Sequence, residues 1–201
     1  MISENQAFLL LKRRIFLDRG LNCEQYKENY LKRRIAVRLR ATGCERYSQY
    51  LNLLKKDPGE YEYLLSELTI NVTEFFRDLD VYDRLRQWVV PSLIEAKLAI
   101  GSRTMRVWSA GCSSGEEAYS VAILIDEVLG ADSKGWNVRV LGTDLDDDCL
   151  SRARKGAYKD LELPPEVETG RHFGVSGHES YTEYTVLDEL RGRVRFKKQN
   201  L

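Results

Sequence analysis

The most constraining feature of this sequence is the stretch between residues 105 and 144, where two strand patterns enclose a helical one. MRVWSA, residues 105–110, is a short apolar run rich in β-forming residues, and a turn with Gly111 and Gly115 follows it. An amphipathic helical pattern comes next, and NVRVLGTD, residues 137–144, is a second strand pattern that ends on Asp144. Strand, glycine turn, helix, strand and acid in this order predict the first βαβ unit of a nucleotide-binding α/β sheet.

The turn and the acid each allow two interpretations. A glycine turn lets the backbone approach a ligand while helix N–H groups point at it, but the same spacing also suits a plain tight turn between a strand and a helix. Asp144 lies where a carboxylate accepts the ribose hydroxyls of an adenosine ligand, and also where an aspartate caps the next helix. The two features together favour an adenosine-containing ligand.

The helix after the turn opens with two acids, Glu116 and Glu117. Two carboxylates at this place repel the pyrophosphate of a dinucleotide, whereas they suit the positive charge of S-adenosylmethionine. Acids are also favoured in the first turn of any helix by the helix dipole. We therefore favour S-adenosylmethionine over NAD, with ordinary helix stabilisation as the alternative role of the two acids.

The front of the chain has a different pattern. Apolar residues in the region 1–68 recur at intervals of three and four, and this periodicity indicates helices. It breaks at Gly20, at residues 42–43 and at residues 57–59, which contain helix-ending or turn residues. We predict a small N-terminal domain of three or four helices over residues 1–68.

The rest of the chain divides into a linker and the α/β domain. Residues 69–102 are interpreted as a linker with a helix around residues 79–98, and residues 103–201 as the α/β domain. Near the end, YTEYTV (181–186) and RVRFKKQ (193–199) are two strand patterns. We expect these two strands to form an antiparallel hairpin or small sheet.

Composition excludes several classes of protein. The 201 residues are 43% hydrophobic, yet no apolar run approaches the length of about 18 residues that a membrane span requires. The beginning of the sequence lacks the pattern of a secretory signal. The four cysteines lie far apart, without a C-x-x-C pair, so we expect reduced thiols, no metal site and a cytoplasmic protein.

Charge is distributed unevenly. Residues 1–56 contain thirteen Lys/Arg and five Asp/Glu, a net charge of +8, although the whole chain is neutral. Such a segment attracts acidic partners. Its basic helix is also compatible with a simple solvated face, and nucleic-acid binding is not indicated because no aromatic interleaving or known motif accompanies the charge. The basic side chains of this helix are Lys32, Arg33, Arg34, Arg38 and Arg40.

Three blocks carry a resemblance to a known family. TINVTEFFRD (69–78), VWSAGCSSGEEAYSVAILI (107–125) and LGTDLDDDCLSRARKGAY (141–158) occur in this order and spacing. They resemble the CheR-type chemotaxis receptor methyltransferases, which are S-adenosylmethionine-dependent protein-glutamate O-methyltransferases. The resemblance implies an α/β fold: a small N-terminal helical receptor-recognition domain, then a Rossmann-like methyltransferase domain with a small antiparallel β-subdomain at about residues 170–197.

The resemblance also implies site residues. It makes Arg77 the catalytic residue, which orients the substrate carboxylate or the cofactor, and it implies that Phe75 and Phe76 pack in the core. It assigns the basic helix to substrate recognition, since the methylation helices of the receptors are acidic. The residues implied to bind S-adenosylmethionine, whose product is S-adenosylhomocysteine, are Asn71, Thr73, Arg77, Gly111, Glu117, Asp144, Asn200 and Leu201.

The function implied is methylation of glutamate side chains of methyl-accepting chemotaxis receptors at their cytoplasmic helices, with neither nucleic-acid binding nor membrane insertion. The pattern of the family continues beyond Leu201, so we expect an incomplete sheet that exposes apolar surface and a strand edge. The alternative function is that of a non-catalytic fragment that binds the cofactor or the receptor.

Overall fold

The computed structural model describes residues 2–68 and 73–200 of the chain. The described residues form two compact units: the first contains residues 2–68 together with Asn200, and the second contains residues 73–199. Within these described ranges, no helix is both long enough and apolar enough to cross a membrane.

The first unit is helical, as the periodicity predicts. Ser3 caps its first helix through a hydrogen bond from the Gln6 N–H, and Gly20 and Gly43 end the first and second helices in the left-handed conformation. The breaks predicted at these glycines and at residues 57–59 are confirmed. The helices are α1 (Glu4–Arg19), α2 (Glu28–Thr42), α3 (Tyr47–Lys56) and α4 (Glu60–Leu68), with a 3₁₀ turn at Cys23–Gln25.

A buried ion pair joins three helices of this unit. The Arg38 guanidinium of α2 donates two hydrogen bonds of 2.9 Å to the Glu60 carboxylate at the start of α4. The Tyr50 hydroxyl of α3 donates to the same carboxylate at 2.7 Å. Glu60 is 5% exposed and Tyr50 is fully buried, so Arg38 balances the charge of Glu60 and the two partners replace water as its hydrogen-bond donors.

The second unit contains both sheets. Its helices are α5 (Leu79–Arg84), α6 (Val90–Ala99), α7 (Glu116–Leu129), α8 (Asp147–Lys155), α9 (Thr169–His172) and α10 (Asp188–Arg191), with a 3₁₀ turn at Gly130–Gly135. Its strands are β1 (Thr104–Ala110), β2 (Asn137–Asp144), β3 (Ala157–Lys159), β4 (Phe173–Gly177), β5 (Thr182–Val186) and β6 (Val194–Lys198).

The helix predicted around residues 79–98 is confirmed as α5 and α6, which are continuous through a π-helical turn at Leu85–Val89. Pro91 follows this turn after a single residue, Val90. A proline has no N–H to donate and its ring crowds the carbonyl four residues earlier, here that of Gln87, which lies inside the π turn. The widened turn accommodates the proline without ending the helix.

The main sheet has the order β1-β2-β6, and all of its pairs are parallel. Thr104 pairs with Asn137 at one end of β1 and Ala110 pairs with Thr143 at the other. The predicted βαβ unit is therefore confirmed as β1, α7 and β2. The exposed apolar surface expected on this sheet is also found, because Trp108 is 56% exposed and Leu141 is 38% exposed.

The small sheet has the order β3-β5-β4, and its pairs are antiparallel. The expected pairing of residues 181–186 with residues 193–199 is wrong: β5 belongs to this sheet, whereas β6 is parallel to β2 in the main sheet. Phe196 of β6 fits against Gly142, where an added Cβ would lie 2.7 Å from the ring. The strand pattern at residues 194–198 is confirmed, and the missing side chain at Gly142 leaves room for the Phe196 ring in the main sheet.

The start of α7 packs unusually closely on its neighbours. Gly115 precedes this helix with φ +95°, a conformation that residues with a Cβ rarely adopt. A Cβ built here would lie 2.8 Å from the Ala153 Cβ of α8 and 3.0 Å from the Phe196 ring of β6. Glycine at this position therefore sets how closely α7 approaches both neighbours.

We expect Arg38→Met to destabilise the first unit by about 3 kcal/mol at pH 7, because it leaves Glu60 buried without its guanidinium partner. Burial raises the pKa of Glu60, but the hydrogen bonds from Arg38 and Tyr50 outweigh it and lower that pKa overall. The stabilisation is thus complete above the ordinary glutamate pKa of about 4.3 and disappears as the pH falls through the lowered value. The difference in the free energy of unfolding between Arg38→Met and the wild type should therefore become smaller at acid pH.

Urea denaturation followed by circular dichroism measures this effect, with Arg40→Met as the control. Arg40 is exposed on the same helix, so its replacement should change stability by no more than about 0.5 kcal/mol. All three tryptophans lie in the second unit, so a loss confined to the first unit leaves the fluorescence transition unchanged. Equal losses in the two variants would contradict a stabilising role for the buried pair.

We expect Gly115→Ala to destabilise the second unit by about 3 kcal/mol. Left-handed backbone strain contributes about 1–2 kcal/mol and overpacking against Ala153 contributes about 1–3 kcal/mol. Gly101→Ala is the matched control, because Gly101 has φ +67° but nothing within 4 Å of an added Cβ, so only the backbone strain applies. Urea denaturation followed by tryptophan fluorescence measures the free energy of unfolding of both variants. Similar losses of this free energy in Gly115→Ala and Gly101→Ala would show that the close packing at Gly115 is unimportant.

Candidate functional site

The turn between β1 and α7 is fastened to the end of β2. The N–H groups of Gly111 and Cys112 both donate to the Thr143 carbonyl, at 2.8 and 2.9 Å. Gly111, Ser113 and Gly115 all have positive φ. The backbone of the turn is thereby held in one shape at the carboxyl edge of the sheet, where ligands of open α/β sheets bind.

Asp144 connects this turn to the loop after β2. One carboxylate oxygen accepts the Ser113 N–H at 2.7 Å, and the other accepts the Asp146 N–H at 3.0 Å. The cap of α8 is Asp146, whose carboxylate accepts the N–H groups of Asp148 and Cys149. The interpretation of Asp144 as the helix cap is therefore wrong, and its half-buried carboxylate remains at the edge where a ligand would lie.

The two acids at the start of α7 have different environments. The exposed Glu117 accepts a hydrogen bond of 2.6 Å from the Ser109 hydroxyl of β1. Glu116 accepts one of 2.9 Å from the Ser114 hydroxyl, and its other oxygen is buried without a hydrogen-bond partner. Burial raises the pKa of Glu116.

This donor set fits S-adenosylmethionine better than a dinucleotide. A pyrophosphate at the N-terminus of α7 would meet Glu117 and the carboxylate of Glu116, whereas the ammonium and sulfonium groups of S-adenosylmethionine are attracted to them. Asp144 offers carboxylate oxygens to ribose hydroxyls at the end of the next strand. The structure brings Gly111, Glu117 and Asp144 together at one edge of the main sheet, as the sequence predicts.

The linker turn contributes a second wall in the same unit. Phe75 packs edge-on against Tyr158 and Phe173, and Phe76 packs against Tyr82, which confirms the prediction that both phenylalanines belong to the core. On either side of this pair, Thr73 is half-buried and Arg77 is exposed. A cavity of about 730 Å³ lies beside Thr73, Glu116 and the segment 158–165.

Three further residues, Asn71, Asn200 and Leu201, belong to the predicted cofactor set. Asn71 and Leu201 lie outside the described residues. Asn200 groups with the first unit, where its side-chain amide donates to the Gly20 carbonyl at 2.5 Å. A cofactor role for these three residues stays a prediction.

The basic residues of α2 fall into two groups. Three of the five have acidic partners: Lys32 pairs with Glu28 at 2.5 Å, Arg34 with Glu67 at 3.5 Å and Arg38 with Glu60 at 2.9 Å. Arg33 and Arg40 are exposed. The role of the five residues in substrate recognition stays a prediction, and the exposed Arg33 and Arg40 are the most accessible of them.

Sequence reasoning missed the small polar residues that support the site. Ser109 is 3% exposed and positions Glu117, while Thr143 is fully buried and accepts the Trp108 indole N–H at 2.9 Å through its hydroxyl. Ser113 supplies the backbone N–H that fixes Asp144. Hydroxyl-bearing residues at or just after strand ends, next to a glycine turn, are the signal that marks them in the sequence.

Two family models match the chain. Residues 6–69 match the model described as CheR methyltransferase, all-alpha domain, and residues 71–201 match the model described as CheR methyltransferase, SAM binding domain. Together these two matches extend over nearly the whole sequence.

Curated relatives named chemotaxis protein methyltransferase agree with this result. That of Listeria monocytogenes is 33% identical over 194 residues, which are 96% of this chain and 70% of the relative. The relative from Borreliella burgdorferi is 30% identical over 90% of this chain and 65% of its own length, and that from Escherichia coli is 31% identical over 96% of this chain and 65% of its own length. The chain thus spans about two thirds of the length of these relatives.

The family model that matches the second unit names its ligand, and the carboxylates at the edge of the main sheet suit that ligand. This chain belongs to the CheR methyltransferase family, with S-adenosyl-L-methionine as its cofactor.

Proposed function

We propose that this protein methylates glutamate side chains of methyl-accepting chemotaxis receptors and forms γ-glutamyl methyl esters in chemotaxis signalling. The observation that carries the proposal is the edge formed by Gly111, Glu117 and Asp144 within a CheR SAM-binding domain. The relatives named chemotaxis protein methyltransferase support the assignment to chemotaxis. The substrate makes the cytoplasm the compartment of the reaction.

In this proposal, Asp144 accepts the ribose hydroxyls and Glu117 binds the cationic amino-acid end of the cofactor. Gly111 lets the turn approach the ligand closely, and Thr73 contributes its hydroxyl from the linker. Asn71, Arg77, Asn200 and Leu201 complete the predicted set. Because Asp144 and Glu117 are already fixed by hydrogen bonds from Ser113 and Ser109, they need little rearrangement when the ligand binds.

The chemistry requires positioning more than proton transfer. When bound, S-adenosylmethionine supplies an electrophilic methyl group, to which a carboxylate oxygen of the receptor glutamate bonds as the carbon–sulfur bond breaks, leaving the methyl ester and S-adenosylhomocysteine. A glutamate with pKa about 4.3 is already ionised at neutral pH, so no base is needed. We assign Arg77 the role of holding that carboxylate in line, which is the main source of acceleration in such a step.

The first unit supplies receptor recognition in this proposal. An acidic receptor helix is attracted to the basic face of α2, and Arg33 and Arg40 are the side chains on that face with the greatest exposure. Lys32, Arg34 and Arg38 remain part of the proposed surface, although each also has an acidic neighbour within the unit.

We expect S-adenosylhomocysteine to bind this chain with micromolar affinity and NADH not to bind, as measured by isothermal titration calorimetry. Asp144→Asn should weaken S-adenosylhomocysteine binding by about ten- to a hundredfold, because hydrogen bonds to a charged group contribute about 1.5–3 kcal/mol. Asp148→Asn is the control, because Asp148 is an exposed acid in the next helix. This variant should bind S-adenosylhomocysteine with the affinity of the wild type.

Each outcome of this titration is informative. Binding of NADH, or equal affinities for the Asp144 and Asp148 variants, would contradict the proposed site. Cofactor binding without transfer of radiolabelled methyl groups to receptor would instead favour the alternative function, a non-catalytic module that binds cofactor or receptor.

We expect Arg33→Glu combined with Arg40→Glu to reduce methyl transfer to receptor at least tenfold while leaving S-adenosylhomocysteine affinity unchanged. The reason is that an acidic receptor helix is repelled once both exposed charges are reversed. Lys55→Glu combined with Lys56→Glu reverses the same number of exposed charges in the first unit and serves as the control. Similar losses in both double variants would show that total charge, and not the face of α2, governs receptor methylation.

A further inference from the structure

The linker turn that carries Arg77 has a strained backbone. Phe76 has φ +53° and Asp78 has φ +64°, so a non-glycine residue in the left-handed region lies on each side of Arg77. Such conformations persist only where the surrounding structure holds them, and they concentrate at functional sites. The backbone position from which the Arg77 side chain extends therefore depends on the contacts that hold this turn.

A buried hydroxyl group contacts the backbone of the turn. The Phe76 N–H donates to the Ser120 hydroxyl oxygen at 2.9 Å, and the Ser120 hydroxyl donates to the Glu116 carbonyl at 2.7 Å. Ser120 is fully buried on α7. The Tyr82 ring packs on Phe76 beside this hydroxyl group. The hydroxyl group thus joins the linker turn to the first turn of α7.

The same first turn of α7 carries Glu117, which faces the proposed cofactor site. The turn that carries Arg77 is consequently joined to the helical turn that carries Glu117 through two hydrogen bonds that share the Ser120 oxygen. The aromatic contacts of Phe75 and Phe76 bury the turn, but aromatic contacts are less directional than hydrogen bonds and leave the peptide plane less defined.

We infer that Ser120 is a positioning residue of the methyltransferase site, which holds the strained Phe76–Asp78 turn so that Arg77 is aimed at the cofactor and the substrate carboxylate. The inference rests on the proposed function, because it takes Arg77 as a residue of that site. It requires no contact between Ser120 and any ligand. Ser120 acts through the turn.

The test is calorimetric titration of S-adenosylhomocysteine into four proteins: the wild type, Ser120→Ala, Arg77→Ala and the double variant. Alanine removes the hydroxyl and adds no atoms, so the helix is preserved while the Phe76 N–H loses its buried acceptor. We expect Ser120→Ala to weaken binding about five- to tenfold. In the Arg77→Ala background the same substitution should weaken binding less than twofold, because the group that Ser120 positions is already absent.

Ser133→Ala is the matched control for a general loss of stability. Ser133 is also buried in the second unit and its hydroxyl donates to Asp126 and accepts from Arg193. We expect Ser133→Ala to lower the thermal unfolding temperature at least as much as Ser120→Ala while binding S-adenosylhomocysteine like the wild type. Amide hydrogen exchange tests the turn without ligand. The Phe76 amide should exchange faster than in the wild type in Ser120→Ala, and at the wild-type rate in Ser133→Ala.

The outcomes separate this inference from the proposed function. No binding of S-adenosylhomocysteine to the wild type would overturn the proposed function, and this inference with it. Wild-type binding with an unchanged affinity in Ser120→Ala, or losses that simply multiply in the double variant, would overturn the positioning role alone. An equal loss of affinity in Ser133→Ala would also overturn it, since destabilisation would then explain the effect.

Discussion

The site depends on the parallel pairing of β1 with β2. Parallel strands end at the same edge of a sheet, so this pairing brings the turn after β1 next to the last residues of β2. The Thr143 carbonyl then accepts the N–H groups of Gly111 and Cys112, and Asp144 accepts the N–H of Ser113. Without these bonds the backbone groups of the turn would lack partners and the turn would lack a defined shape.

Asp144 performs a structural task without using up its binding capacity. An ionised carboxylate offers about four lone-pair sites, and two of them accept backbone N–H groups of Ser113 and Asp146. Two hydroxyl groups of a ribose match the capacity that remains. Glu117 follows the same principle, since the Ser109 hydroxyl occupies one site on its carboxylate. Both acids are fixed by the protein and still have acceptor sites for the ligand.

The local pattern of the sequence predicted the elements well, and the misses came from contacts between distant residues. Residues 137–144 match β2 because alternation and the flanking turns define a strand locally. β6 pairs with β2, which lies about fifty residues earlier in the chain, and periodicity within a segment cannot identify such a distant partner. The sequence DLDDD offers several acids as a helix cap, and only the extended backbone of Asp146, with its two hydrogen bonds, identifies the cap.

Contacts between distant residues also determine how much of the positive charge of α2 is available to a partner. Its basic residues look equivalent in the sequence, yet Arg38 belongs to the buried network with Glu60, whose position in the chain gives no sign of the pairing. Charges neutralised within the unit contribute little field at a distance, and at physiological salt the remaining field decays over about 8 Å. In the proposed recognition of an acidic receptor helix, α2 therefore acts through short-range contacts of exposed side chains such as Arg33 and Arg40. The number of basic residues in α2 accordingly overstates its long-range attraction, and in the proposed recognition the arrangement of its exposed charges selects the acidic helix that fits.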